Sequence, residues 1–153
     1  LSRESITTTV PEEVRVVGWN ILSFDLPVIA RAAGKQDLEA YPFATLDLFD
    51  KIRQATGRWY KLSAVVLSSL GWAMEDKGER VVELLNLNEP AGIREVISYC
   101  AEDVNAVAAL HKRLLDGKPL FLPYRPERKG ENKSGNIEFY MDENGDTHTQ
   151  RYD

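Results

Sequence analysis

Val14-Arg15-Val16-Val17-Gly18-Trp19-Asn20-Ile21-Leu22-Ser23-Phe24-Asp25-Leu26-Pro27 is the stretch that decides the fold. Val14 to Gly18 is a short β-branched run ending in Gly, the pattern of a buried strand. Trp19 to Leu22 reads as the turn that follows. Ser23 can cap a helix, Pro27 lies in its first turn where a missing N–H costs little, and Gly34 closes it. A strand feeding directly into a helix is the opening of an α/β unit.

Outward from this unit, Leu46-Asp47-Leu48-Phe49 reads as either a strand or the start of a helix running through Ile52. Lys61 to Leu70 places Leu62, Val65, Val66, Ser69 and Leu70 at helical spacing, with Gly71 as the stop. Val81 to Leu87 is a short apolar-rich helix. The clearest helix spans about Ala91 to Leu115, with Ile93, Val96, Ile97, Cys100, Val104, Val107, Ala108, Leu114 and Leu115 on one stripe. Cys100 falls on that stripe and is expected to be a small core residue. Gly117 ends the helix. Residues 118–135, with three prolines and many charges, read as a linker or loop. Ile137 to Asp142 and Thr147 to Tyr152 flank Asn144-Gly145, a type I′ hairpin signal. An isolated hairpin is marginal in water, so this one is expected to pack on the domain or on further sequence. The expected organisation is therefore an N-terminally incomplete α/β domain over 1–117, the linker, and a C-terminal hairpin tail over 136–153.

The 153 residues suit one domain. With 43% apolar and 28% charged residues, the composition is that of a globular chain and excludes wholesale disorder. No apolar run is long enough to span a membrane. The single cysteine excludes an internal disulfide framework and fits a reducing compartment, so a cytoplasmic location is expected. A net charge of −5 disfavours a broad basic surface for duplex DNA, but an acidic site that gains from a divalent cation is compatible with it. The start at Leu1, without Met, and the small number of strands lead to the expectation that the chain is part of something longer.

Two clusters carry chemistry. On the long helix, Tyr99 and Asp103 lie one turn apart on one face, bordering the apolar stripe. An aspartate there loses hydration unless a donor or cation compensates, and hard oxygen ligands suit Mg²⁺ and Mn²⁺. In the opening unit, Asp25 stands at a helix start where the dipole favours a carboxylate, with Asn20 in the preceding turn. Each cluster taken alone favours a structural role: an ion pair or cap for Asp103, a rim aromatic for Tyr99, a first-turn acid for Asp25.

Together, Val17-Gly18-Trp19-Asn20 … Phe24-Asp25-Leu26-Pro27 and, about 75 residues later, Tyr99-Cys100-Ala101-Glu102-Asp103-Val104 resemble the second and third motifs of the DEDD 3′–5′ exonucleases. The likeness is to the exonuclease domains related to family B DNA polymerases. The third motif there has Tyr and Asp with three residues between them. Ser98 stands where the histidine subclass would place its His, so the resemblance is to the tyrosine subclass. Leu46 to Phe49 and Lys61-Leu62-Ser63 are similar to the family's connecting elements, and the likeness covers residues 14 to about 116. It implies an RNase H-like fold and removal of nucleotides from single-stranded 3′ ends, DNA being the expected substrate, with two Mg²⁺ or Mn²⁺ ions. By position, Asp103 would bind the metal that holds the attacking water and Tyr99 would orient that water. Asp25 would support the second metal, and Asn20 would brace the site or substrate. Trp19 and Phe24 flank the motif and could stack bases, with core packing expected for at least one of them.

The first motif of the family, Asp-x-Glu on the opening strand, is not found. Residues two apart on a strand share a face, which is how both carboxylates reach the metals. The one Asp-x-Glu here, Asp37-Leu38-Glu39, follows the second motif with no apolar strand leading into it, and reads as a decoy. The expectation is a nuclease domain lacking its opening strands, which by itself binds metal weakly and cuts poorly. The alternative is a non-catalytic RNase H-like module that binds nucleic acid or a protein partner. Trp59-Tyr60 could stack a terminal base or pack on the surface. Arg125, Arg128, Lys129 and Lys133 read as a solvated linker before they read as a phosphate contact. His111 and His148 have no ligand-spaced partner.

Overall fold

A computed structural model describes residues 15–32, 34, 44–123 and 136–152. Asp37-Leu38-Glu39 and the basic residues Arg125, Arg128, Lys129 and Lys133 lie outside them. The architecture is mixed α/β, in two compact units divided between Trp59 and Tyr60.

In the first unit, β1 (Arg15–Gly18) and β2 (Ala44–Asp47) pair in parallel, from Arg15 opposite Ala44 to Gly18 opposite Asp47. Parallel strands need a crossover, and α1 (Asp25–Ala32) lies on it, with Leu26 and Ala30 buried one turn apart. Gly34, at φ 73°, donates its N–H to the Arg31 carbonyl and closes this segment as its position predicts. The ambiguous Leu46 to Phe49 resolves into both elements. The strand ends at Asp47, and α2 (Leu48–Thr56) begins at the next residue, burying Leu48 and Ile52 and packing on β1. Gly57, left-handed at φ 70°, stops α2.

In the second unit, α3 (Leu62–Leu70) buries Val65, Val66 and Ser69 and stops at Gly71, as the spacing predicts. The next helix, α4 (Gly78–Leu87), starts about one turn before the expected Val81 and buries only Leu84. Pro90 opens α5 (Pro90–Leu115), a position where its fixed φ is an advantage. α4 crosses α5 closely at Gly92, where a Cβ would meet the Leu84 side chain at 3.3 Å and its carbonyl at 3.4 Å.

The apolar stripe of α5 is buried only in part. Ala106, Val107, Leu110 and Leu114 are covered, and α5 packs on α3 and on two strands of the following sheet. Ile97 (62%) and Val104 (66%) are exposed, as are Leu115 and Cys100. The expectation that Cys100 belongs to the core is therefore corrected. Helical periodicity marks an apolar face, but only a neighbouring element covers it.

Inside the segment read as a linker, Leu120–Leu122 forms β3. It pairs antiparallel with β4 (Asn136–Met141), which in turn pairs with β5 (Thr147–Tyr152). The hairpin is thus part of a three-stranded sheet whose inner face buries Leu120, Leu122, Phe139 and Met141. Three residues of β3 were too few to show an alternating pattern. The hairpin turn also differs from the expected type I′, which needs two positive φ angles. Only Gly145 is left-handed, at φ 82°. Gly145 N–H donates to the Asp142 carbonyl, and Asp142 Oδ1 accepts from the amides of Asn144 and Asp146 at 2.9 Å each. This is a type I turn followed by a left-handed Gly. The outer edge of β3 is satisfied by Ser69 of α3, whose hydroxyl accepts from Phe121 N–H at 2.9 Å.

Candidate functional site

The Trp19 to Asp25 cluster occupies the turn between β1 and α1. Gly18 ends β1 because no side chain fits there: a Cβ would lie 2.2 Å from Ile21 Cγ2. Asn20 is left-handed at φ 57°, a conformation that Asn tolerates better than most residues. The turn is held by a residue to which the sequence reading gives no role. Asp47, 4% exposed at the end of β2, accepts from Asn20 N–H at 2.8 Å through Oδ1 and from Leu22 N–H at 3.0 Å through Oδ2. Its Oδ1 also accepts from Asp50 N–H at 3.2 Å, capping α2. One carboxylate thus fixes the motif turn and starts a helix. The signal was present, since Asp directly before an apolar helical run is a favoured N-cap, but its long-range bonds leave no local trace.

The turn carries Asn20 to Asp25, the first residue of α1, and this Asp is exposed. Trp19 and Phe24 separate in character. The Trp19 ring packs on Phe49 at 5.8 Å, and Phe49 meets Trp59 edge-on at 5.4 Å, with the Arg53 guanidinium 5.9 Å from the Trp59 ring. Trp19 therefore does packing work, and Phe24, 65% exposed, keeps an open ring.

Tyr99 and Asp103 lie on α5, in the second unit. The Tyr99 hydroxyl donates to Glu95 Oε1 at 2.5 Å, one turn toward the helix start. Arg80 of α4 reaches Glu95 at 3.4 Å and Glu83 at 3.1 Å. Lys77, the residue before α4, bonds Glu102 at 2.5 Å and sits 4.3 Å from the Tyr99 ring centroid. These contacts move the proton affinities. Tyr99 is raised above an ordinary phenol, first by the bond to Glu95 and then by desolvation. Glu95 is lowered, chiefly by the Tyr99 hydroxyl, and Lys77 is raised, chiefly by Glu102. Asp103 is raised, first by lost hydration and then by the Glu102 charge, with Lys77 opposing.

The structure thus brings Asn20 and Asp25 together in one turn, and Tyr99 and Asp103 together on one helix. Neither Asp25 nor Asp103 accepts a hydrogen bond from a described residue. Among the described residues, no group of three or more His, Cys, Asp and Glu side chains is arranged to hold a metal ion. His148 stacks on Tyr140 at 4.5 Å and belongs to the hairpin surface. No helix among the described residues is long and apolar enough to cross a membrane.

The family model RNase_H_2, described as RNase H superfamily, matches residues 2–115, well over half of the chain. No curated protein and no solved structure gives a significant match.

Proposed function

The chain belongs to the RNase H superfamily, which includes nucleases and whose fold commonly binds nucleic acid, and on that premise we propose a metal-dependent 3′–5′ exonuclease domain of the DEDD tyrosine subclass. Its substrate is a single-stranded nucleic-acid 3′ end, DNA in the first instance. The observation that carries this reading is that Asp25 and Asp103, to which no described residue donates a hydrogen bond, each follow a held segment, the Asn20 turn gripped by Asp47 and the Tyr99 hydroxyl bonded to Glu95.

The donor chemistry fits a hard divalent cation. Both side chains are exposed carboxylates, and Asp103 is already short of hydration beside Glu102, a condition that a bound cation relieves. Asp103 and Asp25 would each be a ligand to Mg²⁺ or Mn²⁺, which would supply Lewis acidity for water activation and for the leaving oxygen. Tyr99 orients the attacking water. Asn20 braces the turn against the substrate, and Phe24 offers its open ring to a base. A second reading is a non-catalytic RNase H-like module that binds nucleic acid or a protein partner; the Asp-x-Glu of this sequence, Asp37-Leu38-Glu39, follows the second motif.

Mn²⁺ binding followed by electron paramagnetic resonance, together with shortening of a 5′-labelled single strand, separates the two readings. We expect weak Mn²⁺ binding that falls with Asp25→Asn and with Asp103→Asn, and slow shortening that chelator and Asp103→Asn both abolish. Shortening that survives Asp103→Asn refutes the assignment. Strand binding with no metal-dependent shortening supports the non-catalytic module.

A further inference from the structure

We propose that Glu95 is a positioning residue that fixes Tyr99 as a hydrogen-bond acceptor for the attacking water. The inference rests on the nuclease reading and names a part of the site that the motif does not contain. A phenol has one hydrogen to donate and lone pairs to accept with. The Tyr99 hydroxyl gives its hydrogen to Glu95 Oε1 at 2.5 Å. Its oxygen is left with acceptor capacity only. A water next to it must then donate, which ties down one of its protons and leaves its own lone pair for the phosphorus. Without Glu95 the hydroxyl rotates freely. It can then donate to the water and occupy the lone pair that attack requires.

The surroundings are built to keep this polarity. Glu95, Tyr99 and Asp103 are spaced i, i+4, i+8 on α5, so the hydrogen is drawn one turn away from Asp103. Arg80 of α4 braces the Glu95 carboxylate at 3.4 Å. Lys77 lies 4.3 Å from the Tyr99 ring and is itself tied to Glu102, so the ring is held from its face as well as its tip. The charged groups that face Tyr99 are Glu95 from its own helix and Lys77 and Arg80 from the α4 side.

Two measurements test the proposal. The first is independent of activity: the ¹³Cζ resonance of Tyr99, assigned with Tyr99→Phe and followed against pH. In Glu95→Ala the ionisation should move to lower pH, and an unchanged ionisation overturns the inference. The second is single-turnover shortening of a labelled single strand with Mn²⁺, where slow cleavage is still measured. Glu95→Ala should lower the rate by about tenfold to a hundredfold, the scale of a misplaced reacting group. Strand affinity should be unchanged, and Glu95→Gln, which keeps an acceptor, should stay within a few fold of wild type. In a Tyr99→Phe background Glu95→Ala should cost nothing more. An equal loss in both backgrounds overturns the proposal, because Glu95 would then act through something else. Activity that depends on Asp103 but is indifferent to Glu95→Ala overturns it too and leaves the nuclease reading intact. No metal-dependent shortening by wild type, with the Tyr99 ionisation shift present, refutes the nuclease reading and the positioning role with it, while the hydrogen bond stands.

Discussion

Asp47→Ala removes one carboxylate and three backbone hydrogen bonds at once: those from Asn20, Leu22 and Asp50. The Asp50 bond is an N-cap, worth about 1 kcal/mol. The other two join part-buried amides to a charged acceptor, and losing each costs about 1–2 kcal/mol. Together the loss is about 3–5 kcal/mol, concentrated in the turn. Asp47→Asn keeps one acceptor oxygen but points an N–H₂ at an amide, so it should lose roughly half as much. Two compact units need not unfold together, so a global melt is the wrong assay. Native-state hydrogen exchange read amide by amide is the right one. At 1.4 kcal/mol per factor of ten, the Asn20 and Leu22 amides of Asp47→Ala should exchange from about a hundredfold to a few thousandfold faster, up to the ceiling set by unfolding of the unit. If only Asp50 accelerates, Asp47 is a helix cap and the clamp on the turn is refuted.

Gly18→Ala should cost about 1–3 kcal/mol, because the new methyl would lie 2.2 Å from a branch methyl of Ile21 that has no far end to swing away. The cost should shrink in an Ile21→Ala background, as native-state hydrogen exchange of the first unit's amides across the double-mutant series can check. Asn20→Gly should preserve the left-handed turn and its stability to within about 0.5 kcal/mol while weakening strand binding, whereas Asn20→Val should lose stability as well. Equal strand binding by wild type and Asn20→Gly would remove the side chain from the site. Asp103 gives a pH test. Its raised proton affinity favours folding while the group is protonated, and that contribution is lost as pH rises through the folded value. At neutral pH the charge therefore opposes folding. Asp103→Asn should raise the neutral-pH stability by less than about 1 kcal/mol, and the gain should vanish in acid, below the ordinary carboxylate range. A variant that is less stable at neutral pH contradicts this.

The sequence was most legible where local rules and tertiary need coincide. Gly34, Gly71 and Gly117, each read as a helix end, adopt the left-handed angle, and a β-branched run ending in Gly18 is a strand. It was least legible where a long-range partner decides. The periodicity of α5 is genuine, yet Val104 is open and Leu110 is closed because different neighbours reach them. β3 takes its character from β4 on one side and Ser69 on the other, neither of which is local. Asn144-Gly145 marked the hairpin correctly, but Asp142 captures the Asn144 amide and shifts the turn to another type. Asp47 was hidden for the same reason: two of its three bonds span more than twenty residues.

The carboxylates divide by what they bond, and the division runs opposite to the motifs. Asp47 and Glu95 lie outside both motifs and are engaged, one by three amides, the other by a phenol and a guanidinium. Asp25 and Asp103 lie inside the motifs, and no described residue donates to either. An exposed acid without a partner is ordinary on a protein surface, so the lack of a bond alone does not mark a site. The distinguishing feature is that the flanking structure is paid for: a Gly that admits no Cβ and a left-handed Asn precede Asp25, and the buried Asp47 holds their turn from the neighbouring strand. A braced Glu–Tyr pair likewise precedes Asp103 on its helix. The bonds to Asp47 stabilise the turn itself but leave the Asp25 carboxylate unengaged, and for Asp103 the retained charge works against folding. On the nuclease reading proposed above, these two carboxylates are the groups that a cation arriving from outside the chain would bind.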